Sequence, residues 1–200
     1  MATKVQIAKL ALQHIGDRYD IASLSESSPE AEQVSLVFDD VVKMVLREHP
    51  WTWAEAYTAP AALVAGPPDT VNWDYAFTYP TDAVKVLNIV NPLGRDKSPV
   101  PFALATDGAG GKIIMANVEE PCFRYTQLVT DASIYDPIFV WALSYRIAQI
   151  IAIPITGDRG IMRDMKSLAD EMVGEASSEN ANEGIEADHT RDPDWLEARL

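Results

Sequence analysis

The sequence is poor in the residues from which catalytic and metal sites are usually built. Cysteine occurs once and histidine three times in 200 residues. A single cysteine excludes an internal disulfide and any multi-cysteine metal site. Cys122 stands between Pro121 and Phe123 in a strand-like run, with no histidine near it in sequence to activate it, so a structural thiol is favoured over a nucleophile. His14, His49 and His189 fall on separate segments, and no two share the i, i+4 spacing with which one helix face grips a metal. Positive charge is also scarce. Sixteen Lys and Arg stand against 30 Asp and Glu, a net charge of −14. Affinity for nucleic acid comes mainly from Lys and Arg displacing counterions, so sequence-specific binding to DNA or RNA is not expected. No run approaches the roughly 20 uninterrupted apolar residues of a membrane span, and Met1 to Gln6 lacks the basic-then-apolar plan of a secretory signal. The expectation is a chain made in the cytosol that meets no membrane.

Other routes to chemistry are equally thin. Gly108, Gly110 and Gly111 are not followed by the Lys-Ser or Lys-Thr helix start of a phosphate-cradling loop, and they read as a hairpin turn. Acid/base hydrolysis of sugars needs two carboxylates about 5 to 10 Å apart. The adjacent pairs Asp39/Asp40 and Glu119/Glu120 are available, but helix neighbours diverge by about 100°, and Glu119/Glu120 precede Pro121 in a loop. Both pairs read as surface. No catalytic, cofactor-binding or metal-ligating residue is assigned, and no cofactor is expected.

What the chain does have is patterning. Val5, Ala8, Leu12 and Ile15 recur at helical spacing and Gly16 follows, which predicts a helix over 4–15. Pro29 opens a second, 30–48, striped by Val34, Phe38, Val41 and Val45, and widened by Val37 and Val42. Prolines then punctuate the middle third. Tyr75 to Tyr79, Val84 to Val90, Ile113 to Met115 and Phe123 to Val129 read as strands of a β-rich insertion over 57–129. Turns are expected at Gly94 to Lys97 and at Asp107 to Gly111. Asp136-Pro137 starts a third helix, 137–153, apolar on nearly every face, which Pro154 and Gly157 should end. Asp158 caps a fourth, 158–177, whose seam runs Met162, Met165, Ala169, Met172, Ala176.

This plan predicts an α+β fold: an antiparallel helical bundle with one small antiparallel sheet inserted, spanning 1–178, and an acidic tail, 179–200. From Asp170 to Leu200, ten acidic residues face only Arg191 and Arg199, a net of −8, over half the excess of the chain. Past Ser177 the composition is too polar to order itself alone, so the tail is expected to be flexible. Trp51 and Trp53, two apart after His49-Pro50, are expected to turn their rings to one side and close one end of the bundle. Trp195 sits in Asp192-Pro193-Asp194-Trp195-Leu196-Glu197 with no local core to enter. That is the pattern of a docking peptide.

The ordered series Ala11-Leu12 to Ile15-Gly16, Ile21 to Glu26, Val45 to Ala54, Tyr79 to Ala83, Phe123 to Thr126, Asp131 to Phe139 and Ala148 to Asp158 resembles the tail tubular protein A family. These are head-to-tail adaptors of tailed bacteriophages, and the resemblance spans roughly residues 4 to 180. It implies a non-enzymatic structural protein of the virion neck, made in the host cytoplasm. It also implies a dodecameric ring between a portal protein and a tail or nozzle protein, with DNA passing through unbound, and C-terminal tails that grip the portal. On that reading Asp192, Asp194, Trp195, Leu196, Glu197 and Leu200 are the portal-docking candidates. Ile138, Trp141, Tyr145 and Arg146, on a helix that wants more cover than a small domain gives, are the candidates for a subunit interface. A tail-associated peptidoglycan hydrolase and an acidic regulatory binding protein are the alternatives.

Overall fold

The computed structural model describes residues 2–58, 66–90 and 100–183. It is an α+β protein, with four helices and two small antiparallel sheets among the described residues. The first helix, α1, covers Lys4–His14. Thr3 and Gln6 form a reciprocal capping box at its start. At its end Gly16 adopts φ +80°, its N–H reaches the Gln13 carbonyl, and the Asp17 N–H reaches that of Leu12. This 6→1 and 5→2 pair is a Schellman stop. The second helix, α2, covers Pro29–Glu48, with Ser28 as N-cap and Pro29 in its first turn. His49 leaves the helix at φ −135°, as a residue before proline is pushed to do.

The third helix, α3, runs Pro137–Thr156, and the fourth, α4, runs Arg159–Glu183. Both outlast their expected ends. Pro154 forfeits an N–H bond to the Ile150 carbonyl, yet Ile150 and Pro154 are both exposed, where water can serve that carbonyl, and the stop comes at Gly157 with φ +72°. Residues 178–183 continue α4 because extending a helix that is already nucleated adds a hydrogen bond per residue with no nucleation cost. By length and composition α3 could cross a membrane, contrary to the expectation from uninterrupted runs; it is instead the central helix, packed against α1, α2 and α4, with more than half of it buried. Ile7, Leu12, Val34, Phe38, Val45, Phe139, Leu143 and Ile147 make the bundle core, and α4 adds Met165, Ala169 and Ala176.

The insertion is two three-stranded sheets where one was expected. In the first, Glu55–Thr58 (β1) and Ala83–Val90 (β3) flank Cys122–Gln127 (β6). In the second, Tyr75–Thr78 (β2) and Phe102–Thr106 (β4) flank Lys112–Ala116 (β5). Phe77 and Ile114 from the second sheet and Val86, Ile89, Phe123 and Tyr125 from the first share one small core. Phe77 meets Phe123 edge-on at 5.8 Å. The expected Asp107 to Gly111 turn joins β4 to β5: the Asp107 carboxylate accepts the Ala109 and Gly111 N–H groups. The Gly94 to Lys97 turn lies outside the described residues. Cys122 is half-buried and its Sγ meets the Thr58 carbonyl at 3.2 Å.

The sheets join the bundle at the end of α2. Trp51 donates Nε1–H to the Val45 carbonyl at 3.0 Å and meets Phe139 edge-on, while Trp53 meets the same Phe139 ring at 4.9 Å. The two tryptophans therefore share one end of the bundle core as expected. They reach it through a short 3-10 turn, Thr52–Ala54, and not through the extended alternation that the spacing suggested.

Candidate assembly surface

Trp141, Tyr145, Gln149 and Ile153 follow one another at intervals of four, so they form one row along α3. Positions 139, 142, 143, 147, 148, 151 and 152 of the same helix are buried. The row is left partly open: Trp141 and Ile153 are each 43% exposed, and Ile150 nearby is 39% exposed. A helix apolar on every side is thus covered by the described residues on most sides only. An exposed apolar row of this kind is a candidate contact surface.

One end of the row is fixed by α1. The His14 ring lies 5.6 Å from that of Trp141 and stacks on Tyr145. Its Nε2 is 3.1 Å from the Ser144 hydroxyl, whose only proton is given to the Trp141 carbonyl at 2.8 Å. The histidine must then be the donor, through an Nε2–H tautomer. Burial lowers the His14 pKa and favours this neutral ring. His14 thus ties the end of α1 to α3 through Ser144 and stacks on Tyr145.

The other interface candidates are placed differently. Ile138 is half-buried against the bundle core, beside a cavity of about 30 Å³ lined by Trp53 and Ala176. Arg146, expected at a subunit face, is turned inward. It is 8% exposed, and its guanidinium joins three helices through Glu48 of α2 at 3.0 Å, Asp170 of α4 at 2.5 Å and Gln149 of its own helix at 3.1 Å. Burial alone would lower the Arg146 pKa, but the hydrogen bonds it donates to Glu48 and Asp170 outweigh it and hold it above the ordinary value. A cation this well paired in its own chain does not wait for a partner. The docking candidates Asp192, Asp194, Trp195, Leu196, Glu197 and Leu200 lie outside the described residues.

The carboxylate pairs stand where a surface reading puts them. Asp39 meets Lys4 at 3.0 Å, Asp40 meets Lys43 at 3.1 Å, and Glu119 and Glu120 are exposed. Among the described residues no three of His, Cys, Asp and Glu converge as a metal site. One feature was missed. Arg47 and Lys112 face a cleft between α2 and the sheets; the sequence hinted at it only through Lys43 and Arg47, one turn apart on the polar side of α2.

No protein-family model and no curated protein matches this chain. Its function is therefore read from the residues themselves.

Proposed function

We propose that this chain is a structural subunit without catalytic activity, a head-to-tail adaptor of a tailed phage. Copies of it form a ring, dodecameric by family resemblance, beneath a portal protein and above a tail or nozzle protein, and the ring prolongs the channel through which DNA passes. The single observation that carries the assembly part of this reading is the Trp141–Ile153 row, an aromatic and aliphatic ridge left open on the most apolar helix of the chain. Large aromatic side chains at the centre of a contact supply most of its binding energy. The ordered motif series and the helix, sheet, helix plan add support for the adaptor role. An acidic wall repels phosphate, which suits a conduit that must not hold its cargo.

Mass measurement by sedimentation or native mass spectrometry, with and without the cognate portal, tests the reading. Rings are expected with the portal present, and the Trp141→Glu/Ile153→Glu variant, at the two most exposed positions of the row, is expected to stay monomeric in the same mixture, with a thermal melt reporting that it folds. A variant that assembles normally refutes the role given to the row. A wild-type chain that never associates with a portal refutes the adaptor.

A further inference from the structure

Two cations in this acidic protein are held in place without a counter-ion among the described residues. Arg47 donates Nη1–H to the Val84 carbonyl at 2.9 Å, and the Lys112 ammonium lies 5.5 Å above the Tyr79 ring centre. Each partner is neutral, and neither cation is within ion-pair distance of a carboxylate of the described residues. Both line one cleft of about 420 Å³ with Tyr79, Leu104, Ala105 and Thr106, and among the described residues no acidic one lines it. The adjoining hollow adds Lys43, and its acids are already engaged: Asp40 by Lys43, and Asp82 by the Tyr125 hydroxyl and the Gln127 amide. Fixed positive charge beside apolar surface is suited to carboxylates flanking an apolar side chain. Two or three cations are too few for the stripe that tracks a nucleic-acid backbone.

We propose that this cleft is a binding site for an acidic peptide, and that its occupant is the chain's own segment Asp192 to Glu197. That segment carries three carboxylates around Trp195 and Leu196. It can reach: Glu179 borders the same small cavity as Thr52 and Trp53, just past the end of α2 that carries Arg47, and nine residues beyond Glu183 span up to about 30 Å. A tethered ligand binds at an effective concentration in the mM range, so a modest intrinsic affinity is enough. Leu104 to Thr106 belong to β4, which among the described residues is an edge strand of its sheet, and an edge can take an added strand. The free subunit thereby keeps its docking peptide occupied until a competing partner takes it. The seat exists whether or not that partner is a portal.

The test is hydrogen exchange by mass spectrometry on the full chain at low salt, following amides of residues 184–200. Wild type is expected to exchange them about tenfold more slowly than Arg47→Glu/Lys112→Glu, since a seated segment exchanges only when it opens. Adding Asp192→Lys, Asp194→Lys and Glu197→Lys to that variant is expected to restore protection by charge reversal. Arg47→Gln/Lys112→Gln is the milder pair should the reversal disturb the fold, which a thermal melt reports. Equal exchange in wild type and both cleft variants overturns the proposal. Protection that grows with protein concentration and a doubled mass overturns it too, by placing the segment on a second copy. So does binding of short duplex DNA that the cleft variants abolish while exchange of the segment stays unchanged, because the cleft is then a phosphate site.

Discussion

His14 and Tyr145, 131 positions apart in sequence, lie ring on ring, with centroids 4.2 Å apart and planes at 26°. The contact ties the end of α1 to the exposed row of α3, and it has a consequence for pH. Burial lowers the pKa of His14, and burial with the nearby Lys85 lowers that of His49, both from 6.5. As pH falls, the unfolded chain takes up these protons first, so this part of the stability is complete above pH 6.5 and is lost below it. The wild-type melting temperature is expected to drop between about pH 7 and 5, a window above most carboxylate titration. His14→Gln/His49→Gln is expected to show a shallower slope, and parallel slopes would remove the histidines from the account.

Arg146 is the joint of three helices, so its removal should be felt beyond its own helix. Arg146→Ala leaves Glu48 and Asp170 without their shared cation, and a loss of about 3 kcal/mol is expected, the low end for a broken buried pair because Asp170 is 46% exposed. Asp170→Asn should cost under about 1 kcal/mol, since Glu48 still holds the arginine. Urea denaturation of the two variants separates these outcomes, and equal losses would show that the joint does not centre on Arg146.

Gly157 ends α3 at φ +72°, with its N–H on the Ile153 carbonyl at 2.9 Å. Nothing lies within 4 Å of where a Cβ would stand, so Gly157→Ala is a pure backbone test. A loss of about 1 kcal/mol is expected, the ordinary cost of a left-handed non-glycine residue, and Gly157→Asn should lose less. Thermal melts report both; an unchanged Gly157→Ala would mean that the αL stop is dispensable.

The core of the bundle runs from Ile7 to Ala176, short of the end of α4. Truncation after Glu183 is therefore expected to leave the melting temperature within a few degrees of the full chain, the size of a change near 1 kcal/mol. Circular dichroism melts check this. A large drop would mean that the acidic segment holds the fold together.

The sequence by itself determined the local decisions, because each rests on neighbours in the chain. Stripes at three- and four-residue spacing named the buried faces of α2 and α4, since a helix turns by a fixed angle per residue. Asp136 and Gly16 marked helix ends, because a cap satisfies orphan backbone groups within three residues of itself, and Pro29 marked another, because its fixed φ and missing N–H suit a first turn. Asp107 to Gly111 announced its hairpin for the same reason. Tertiary structure alone decided what depends on partners far along the chain. Arg146 looked like an interface residue because Glu48 and Asp170 lie 98 and 24 positions away. β1 and β4, with the sequences Glu-Ala-Tyr-Thr and Phe-Ala-Leu-Ala-Thr, lack the run of aromatic or β-branched residues that would announce a strand, and their pairing with β6 and β5 divided one expected sheet into two. The exposed row of α3 could not be chosen from an all-apolar helix until α1, α2 and α4 had covered the rest of it. The Arg47 and Lys112 cleft exists only because β3 meets α2 and the fold brings Lys112 of β5 to line the same hollow as Arg47. Periodicity states that a face must be buried, and packing then decides which face is left for another molecule.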